Sequence, residues 1–354
     1  MTICYFGIYQ KDYPRNNILI EGLRQNGVKV LECQDRSRGL KKYWNLFRKH
    51  NKIKRQYDVM IVGFSGQLIM FLAKIISRKP IILDTFVSLY DTAVFDRQTC
   101  GFKSIKARYF YFLDKYSCKL ADKCLLDTNE HINYFVKTFN LPKDNFARIL
   151  VGSNNKIFYP RDDVKKNTDK FLVHFHGYIV PFHGVEYIVK AAKLLENENI
   201  LFRFFVRFDK KFQEIRKILE DLNVFNVDFK NLVSYEELAG YINKADVSLG
   251  VFGKTPKINK VIPNKIYEAL ACKTPVVTSG TPAVTELLED NKNCLLTKPG
   301  DEKDIADKIL KLKNNDSLRK EIAENGYGLY LKKATPEILA EKLINEAEKI
   351  IKQK

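Results

Sequence analysis

Residues 246–271 read DVSLGVFGKTPKINKVIPNKIYEALA. The apolar run at the start predicts a buried strand, and the polar loop after it leads into a helix that begins near Pro263. In open parallel sheets, ligands bind beyond the C-terminal ends of the strands, and strand-to-helix loops supply the binding residues. This stretch therefore predicts one strand–loop–helix unit with a ligand site inside it.

The same alternation of short apolar runs and amphipathic stretches continues in both directions, which is typical of parallel sheets. Strands are predicted in the first half near residues 3–8, 28–33, 59–62, 80–83, 124–126 and 147–151. Strands are predicted in the second half near residues 171–175, 201–206, 227–229, 247–251, 275–277 and 294–296. The chain is therefore predicted to be α/β, with two doubly wound, Rossmann-like domains.

A polar, charged stretch between the two halves sets the predicted domain boundaries. Residues 1–160 are predicted to form the N-terminal domain, 161–170 a linker and 171–334 the C-terminal domain. Residues 335–354 are predicted to form a final amphipathic helix with no strand after it. Such a helix has to bury its apolar face, and the N-terminal domain is one surface on which it can pack back.

Cysteine usage and the N-terminus favour a cytoplasmic protein. The seven cysteines are odd in number and scattered, without a close-spaced pair to bind zinc. No cationic run precedes an apolar one at the N-terminus, so no signal peptide is predicted. Residues 59–76 are apolar enough to suggest a membrane span, but Gly63 and Gly66 interrupt them. We therefore expect a strand, a turn and a helix there.

Positive charge is concentrated in the first half of the chain. The net charge is +18, and residues 1–160 hold 27 Lys/Arg against 13 Asp/Glu. The segment from Arg36 to Arg55 contains no acid, and Leu40, Tyr43, Trp44 and Phe47 fall on one helical face within it. One interpretation is a helix that lies on an anionic membrane at the inner face of the bilayer. The other is a solvated basic face on a helix that packs through its aromatic stripe.

The predicted helix after Pro263 carries the strongest local signal for ligand binding. Its first amides, the helix dipole and Lys265 form a candidate site for a pyrophosphate. Glu268, one turn later, is placed to accept hydrogen bonds from vicinal hydroxyls such as those of a ribose. Spacing alone leaves the alternative open that Lys265 is a solvated lysine and Glu268 a surface acid.

The run NKIYEALACKTPVVTSGTPAVTELLEDNKNCLLTKPGD, residues 264–301, resembles the C-terminal signature of family 4 glycosyltransferases of the GT-B fold. Further segments similar to that family are PFHGVEYIVKAAKLL (181–195), VSYEELAGYINKADVSLGVFG (233–253), GIYQKDYPRNNILIEGLRQNGVKV (7–30), SLYDTAVFDR (88–97) and LLDTNEHINYF (125–135). The resemblance implies two domains facing across a cleft. It also implies retaining, metal-independent transfer from a nucleotide diphosphate sugar to a hydroxyl, without a cofactor.

The resemblance assigns roles to particular residues of the second half. Glu268 matches the second of two glutamates eight positions apart, the one that holds the ribose, whereas the first position is Lys260. Lys265 and Arg207 are the cations expected to stabilise the leaving diphosphate. The predicted donor-binding residues are Asn264, Lys265, Glu268, His183 and Lys254. His183 stands where many relatives have lysine, and Arg207 lies where they have a glycine-rich turn.

Acceptor-side candidates lie in the first half. Thr128 is predicted to be the N-cap of a helix, which places His131 in the first turn beside the crevice. His131 is predicted to be catalytic by positioning the acceptor hydroxyl, and the alternative is a histidine satisfied by local hydrogen bonds. Arg15 and Asp91, in predicted loops after the first and fourth strands, are weaker candidates of the same kind. For both, an ordinary loop ion pair is the alternative.

Metal sites and hydrolase triads are not expected. His174 and His176 alternate on one predicted strand, but no carboxylate in register completes a metal site. No Gly-x-Ser-x-Gly elbow is present. Nucleic acid is not an expected partner, because the basic residues concentrate on one predicted helix.

The leading interpretation is a retaining glycosyltransferase of hexosyl type that acts in cell-surface glycan or glycolipid synthesis, with a glycan or lipid-linked acceptor. A nucleotide-sugar 2-epimerase of the same fold is one alternative. A non-catalytic basic protein that binds membranes is the other.

Overall fold

The computed structural model of the chain describes residues 1–161, 163–164, 166 and 168–353. The chain divides into two compact units, one formed by Met1–Gly152 with Ala334–Lys354 and one by Ser153–Lys333. The first unit thus contains the final helix, and the second begins before the predicted linker. Part of that linker, residues 161–170, lies outside the described residues.

Each unit contains one six-stranded parallel sheet. The strands are β1 Thr2–Gly7, β2 Lys29–Gln34, β3 Val59–Val62, β4 Ile81–Asp84, β5 Lys123–Leu126, β6 Phe146–Arg148, β7 Phe171–His176, β8 Ile200–Phe205, β9 Val227–Lys230, β10 Val247–Leu249, β11 Val276–Ser279 and β12 Leu295–Thr297. All twelve predicted strands are confirmed, and the α/β class with two doubly wound units is confirmed with them.

Helices connect the strands in both units. They are α1 Pro14–Gln25, α2 Lys41–Ile53, α3 Met70–Ile76, α4 Leu89–Asp91, α5 Ile105–Leu120, α6 Asn129–Phe139, α7 Val185–Leu194, α8 Lys210–Leu222, α9 Tyr235–Asn243, α10 Asn264–Ala271, α11 Glu302–Asn314, α12 Asp316–Lys333 and α13 Pro336–Lys352. Thr92–Asp96 is a π-helical turn, and Lys143–Asn145, Pro181–His183, Pro256–Asn259 and Val284–Glu286 are 3₁₀ turns.

The first sheet has the order β2-β1-β3-β4-β5-β6. Helices α2, α3, α5 and α6 bury residues such as Leu46, Met70 and Phe135 in one core cluster with this sheet. Helix α13 packs against α1 at Gly22, where any β-carbon would overlap the main chain of Pro336. The glycine therefore permits the close approach of the two helices.

In the first unit, two predictions can be compared with the structure: the strand, turn and helix in residues 59–76, and the length of the sixth strand. Residues 59–76 contain β3 and α3 with a turn between them, as predicted. Across the described ranges, no helix is both long and apolar enough to cross a membrane. The sixth strand ends at Arg148, before the predicted residue 151, and the carbonyls of Ile149 and Leu150 beyond it accept hydrogen bonds from the guanidinium of Arg15.

The second sheet has the order β12-β11-β10-β7-β8-β9. The chain winds outward from β7 through β8 and β9, then returns to the other side of β7 to form β10. Strand order therefore reverses between β7 and β10. In doubly wound sheets the crevice beyond the strand ends at such a reversal is the usual ligand site.

Candidate functional site

The loops after β7 and β10 meet at this reversal. The amide of Phe252 donates to the carbonyl of His183 at 3.0 Å, and the amide of Gly253 donates to the carbonyl of Phe182 at 3.1 Å. A β-carbon on Gly253 would overlap the carbonyl of Pro181. The glycine lets the two loops touch, and this contact forms one wall of the crevice.

Lys265 lies in the first turn of α10, and its amine is buried. The side chain is 4% exposed. Its Nζ lies 3.8 Å from the centroid of the Phe175 ring and has no hydrogen-bond partner among the described residues. Burial lowers the pKa of Lys265 well below its ordinary value, and nearby Glu268 opposes that shift. Burying an amine that donates no hydrogen bond is unfavourable in free energy. The position therefore favours an anionic ligand, which could accept hydrogen bonds from the amine.

Two histidines of β7 form a hydrogen-bonded chain that ends at the carboxylate of Glu268. His176 Nε2 lies 2.7 Å from Glu268 Oε2, and His174 Nε2 lies 2.9 Å from His176 Nδ1. All three side chains are buried. Burial, followed by the neighbouring His176, lowers the pKa of His174 well below its usual value. A neutral chain of this kind has each Nε2–H donating towards the carboxylate. The carboxylate oxygens retain lone pairs that can accept from a ligand's hydroxyls.

Gly177 and His183 complete the wall around Lys265. A β-carbon at Gly177 would lie 3.4 Å from both Lys265 Nζ and His183 Cε1, so the three residues converge on one point. His183 Nδ1 lies 2.5 Å from the carbonyl oxygen of Tyr178, to which it donates. Burial, followed by the charge of Lys265, lowers the pKa of His183 well below its usual value. His183 is therefore a neutral ring in this site.

The arrangement can bind a ligand that carries an anionic group and a diol. Lys265 and the amides of the first turn of α10 face the anionic position. Glu268 lies one turn along the same helix, with its carboxylate oriented by His176. A nucleoside diphosphate carries both kinds of group.

The other predicted residues of the second unit lie around this core. Asn264 is half-buried at the start of α10, and Lys260 is buried in the preceding loop. Arg207 is exposed after β8. Lys254 lines a groove of about 570 Å³ with Tyr187, Lys190, Lys298 and Pro299 to Lys303, a lining that does not include Lys265. The structure thus groups Lys265, Glu268 and His183, and places Arg207 and Lys254 outside that group's buried core.

In the first unit, Thr128 is the N-cap of α6, as predicted, because its side chain accepts from the His131 amide at 3.0 Å. His131 is buried, and its Nδ1 lies 2.8 Å from Asp127 Oδ1. Asp127 Oδ2 has no hydrogen-bond partner within the described ranges. The ring donates Nδ1–H to Asp127, and this hydrogen bond fixes its orientation.

Arg15 and Asp91 are both buried. The prediction of a loop position is wrong for Arg15, which is the second residue of α1 and fully buried. Its guanidinium pairs with Asp84 at 3.0 Å and donates to two carbonyls, so its hydrogen-bonding capacity serves the fold. Asp91 lies in the short helix α4 rather than in a loop. Neither Asp84 nor Asp127 was among the site residues predicted from the sequence.

Among the residues that the structure describes, no group of three or more histidine, cysteine, aspartate or glutamate side chains could hold a metal ion.

Known proteins resemble the chain in sequence and in fold. Residues 160–329 match the family model described as glycosyl transferases group 1. The capsular polysaccharide biosynthesis glycosyltransferase CapM of Staphylococcus aureus is 23% identical, over 94% of this chain and 93% of that protein. The chain is thus a glycosyltransferase whose residues 160–329 match the group 1 family. An uncharacterized glycosyltransferase of Methanocaldococcus jannaschii is 28% identical to this transferase, over 63% of this chain and 58% of that protein.

Solved structures share the fold of this glycosyltransferase over its whole length. Sucrose-phosphate synthase from Thermosynechococcus elongatus has a TM-score of 0.78 at 14% identity, and the match covers 100% of both chains. HepE from Anabaena in complex with UDP and glucose has a TM-score of 0.75 at 15% identity, covering 99% of this chain and 100% of that one. The predicted GT-B fold is confirmed.

The sequence did not predict that His176 and His174 form a hydrogen-bonded chain to Glu268. Their alternate spacing placed both on one face of β7, at the strand end that borders the crevice. That signal indicated a shared surface but not Glu268, which is 92 residues away in the chain.

Proposed function

We propose that the chain transfers a hexosyl group from a UDP-sugar to a hydroxyl acceptor with retention of anomeric configuration. The observation that carries the proposal is the buried amine of Lys265, without a hydrogen-bond partner among the described residues, one turn before the oriented carboxylate of Glu268. The diphosphate would satisfy the amine, and the ribose hydroxyls would donate to Glu268. The bound UDP named for HepE supports the choice of uracil.

In the proposed reaction, the bond between the sugar C1 and the diphosphate oxygen breaks as the acceptor oxygen bonds to C1 on the same face. The acceptor proton passes to the leaving phosphate oxygen. Lys265 and the α10 amides stabilise the negative charge that develops there, with Arg207 as a further cation. In this proposal protein cations supply the positive charge, so transfer needs neither a metal ion nor a cofactor.

The acceptor is proposed to be a cell-surface glycan or a lipid-linked precursor of one, met at the cytoplasmic face of the membrane. The name of CapM supports this class, as does the poly(ribitol-phosphate) alpha-N-acetylglucosaminyltransferase of Staphylococcus aureus. The latter is 27% identical over 50% of this chain and 35% of that protein. On the acceptor side, we propose that His131, oriented by Asp127, positions the reacting hydroxyl.

Donor binding can be measured by titration calorimetry with UDP on the intact chain. Glu268→Gln and Lys265→Met are each expected to raise the Kd of UDP at least tenfold, and EDTA is expected to leave it unchanged. Lys211→Met is the matched control, because Lys211 forms an exposed ion pair with Glu214. Wild-type affinity in both site variants would overturn the proposal.

Incubation with UDP-sugar alone separates transfer from epimerisation. An epimerised nucleotide sugar in the absence of acceptor would replace the proposed reaction with epimerase chemistry. With an acceptor present, NMR of the product's anomeric proton should show the configuration of the donor.

A further inference from the structure

Helix α5 has an apolar stripe on its solvent side. Phe102, Ile105, Tyr109, Phe112 and Tyr116 are all exposed and follow one another at steps of three and four residues. That spacing places them on one face of the helix and its N-terminal approach. On the opposite face, Ala107 and Cys118 are buried in the core cluster of the unit. The exposed stripe is therefore additional to the face that holds the helix in the fold.

Helix α2 shows the same arrangement. Leu40 and Trp44 are 83% and 61% exposed, and Phe47 is also exposed. Leu46 and His50 are the buried residues of α2. Tyr43 of the aromatic stripe packs against the core of the unit, as the second interpretation of the Arg36 to Arg55 segment expects, whereas Leu40, Trp44 and Phe47 face solvent.

Helix α3 joins the two stripes into one surface. It contacts both α2 and α5, and its Phe71 ring stacks on Phe112 of α5, with centroids 6.2 Å apart. Ile75 of α3 is 82% exposed. The α2–α3–α5 surface is defined by its exposed apolar side chains: Leu40, Trp44, Phe47, Leu68, Ile75, Phe102, Ile105, Tyr109, Phe112 and Tyr116.

Basic residues surround these side chains. The segments that carry the surface, residues 36–55, 66–79 and 97–121, contain the following lysines and arginines: Arg36, Arg38, Lys41, Lys42, Arg48, Lys49, Lys52, Lys54, Arg55, Lys74, Arg78, Lys79, Arg97, Lys103, Lys106, Arg108, Lys115 and Lys119. Asp114 is the one acid in these segments, and it is buried under the stripe. The surface thus combines exposed apolar side chains with an excess of positive charge, of which Lys49 is paired with Asp35.

We propose that the α2–α3–α5 surface docks the chain onto an anionic lipid bilayer. Aromatic and aliphatic side chains enter the boundary between headgroups and acyl chains, while lysines and arginines contact lipid phosphates. A second copy of the chain would bring the same positive face against itself, which disfavours a symmetric dimer through this surface. The charge of a soluble polyanion is complementary, but Leu40, Ile75 and Ile105 have aliphatic side chains that favour hydrocarbon.

The chain provides its own reporter for this docking. Trp44 is its single tryptophan and belongs to the proposed surface. Mixing the protein with vesicles that contain phosphatidylglycerol is expected to shift the Trp44 emission to shorter wavelength. Vesicles of pure phosphatidylcholine are expected to cause a much smaller shift. Brominated acyl chains are expected to quench that emission, and salt is expected to weaken binding because it screens the headgroups.

Two kinds of variant separate the apolar and electrostatic contributions. Ile105→Ser is expected to lower partitioning into anionic vesicles about tenfold, as removal of a buried aliphatic side chain would. Lys103→Gln and Lys106→Gln are each expected to lower it about fivefold. Phe225→Ser is the matched control, because Phe225 is 84% exposed in the other unit and is expected to leave partitioning unchanged.

Equal binding to neutral and anionic vesicles, or wild-type partitioning of Ile105→Ser, would overturn the proposal. A blue shift with polyuridylic acid that survives Ile105→Ser would also overturn it, in favour of a nucleic-acid partner. Because these measurements contain no nucleotide sugar, failure here leaves the proposed transfer reaction standing.

Discussion

Replacing Lys265 with methionine should stabilise the free protein and weaken its binding of UDP. The Lys265 amine lies against the Phe175 ring, 4% exposed and without a hydrogen-bond partner among the described residues. Methionine fills similar space without a polar group. An unsatisfied buried polar group costs about 1–3 kcal/mol, so the free energy of unfolding should rise by about that amount.

The loss of affinity follows from the bond that UDP would make. A hydrogen bond to a charged group contributes about 1.5–3 kcal/mol, so the Kd of UDP should rise about 10- to 150-fold. Urea unfolding of the free protein and calorimetric titration with UDP measure the two effects separately. A variant that is less stable than wild type and binds UDP with unchanged affinity would refute the reasoning.

The same amine should make both properties depend on pH. Because burial lowers the pKa of Lys265, the unfolded chain keeps this proton to higher pH than the folded chain does. The stability of the free protein should therefore rise with pH between the lowered and the ordinary pKa of lysine. Bound diphosphate favours the charged amine, so UDP affinity should fall as pH rises through the lowered pKa. Calorimetry in buffers of different ionisation enthalpy should detect proton uptake, which Lys265→Met should abolish.

Three further changes test the buried polar groups. His176→Ala removes the donor that orients Glu268 and should raise the Kd of UDP about tenfold, measured by calorimetry. Burial raises the pKa of Asp114 to about 7. The folded chain therefore holds a proton that the unfolded chain has lost, and its contribution to stability declines from about pH 4 to about pH 7. Asp114→Asn should remove that decline from urea-unfolding profiles. Arg15→Met leaves Asp84 buried without its ion pair and should lower the free energy of urea unfolding by about 3–5 kcal/mol.

Two of these changes have a control in the same chain. His50→Ala removes a buried histidine that bonds Tyr57 in the other unit, and UDP affinity should not change. Lys211→Met breaks an exposed ion pair and should cost less than about 1 kcal/mol. The reasoning fails if His176→Ala binds UDP like wild type, if Asp114→Asn keeps the wild-type pH profile, or if Arg15→Met costs no more than the Lys211 control.

Local features could be predicted from the sequence. The twelve strands follow from short apolar runs bounded by polar turns, because each run has to be buried wherever it lies in the fold. The start of α10 after Pro263 and the Thr128 cap of α6 follow from backbone preferences of single residues. The motif around Glu268 indicated the family and the donor site for the same reason, since its residues are close in the chain.

Only the tertiary structure decided which distant residues meet. Glu268 and His176 are 92 positions apart, and Arg15 and Asp84 are 69 apart. These contacts depend on strand order and on how whole helices pack, which no local spacing encodes. The tertiary structure also decided which face of α2 is buried, because both faces of this helix are partly apolar in sequence. Its Leu46 is buried while Trp44 faces solvent because the neighbouring sheet and helices fill only one side.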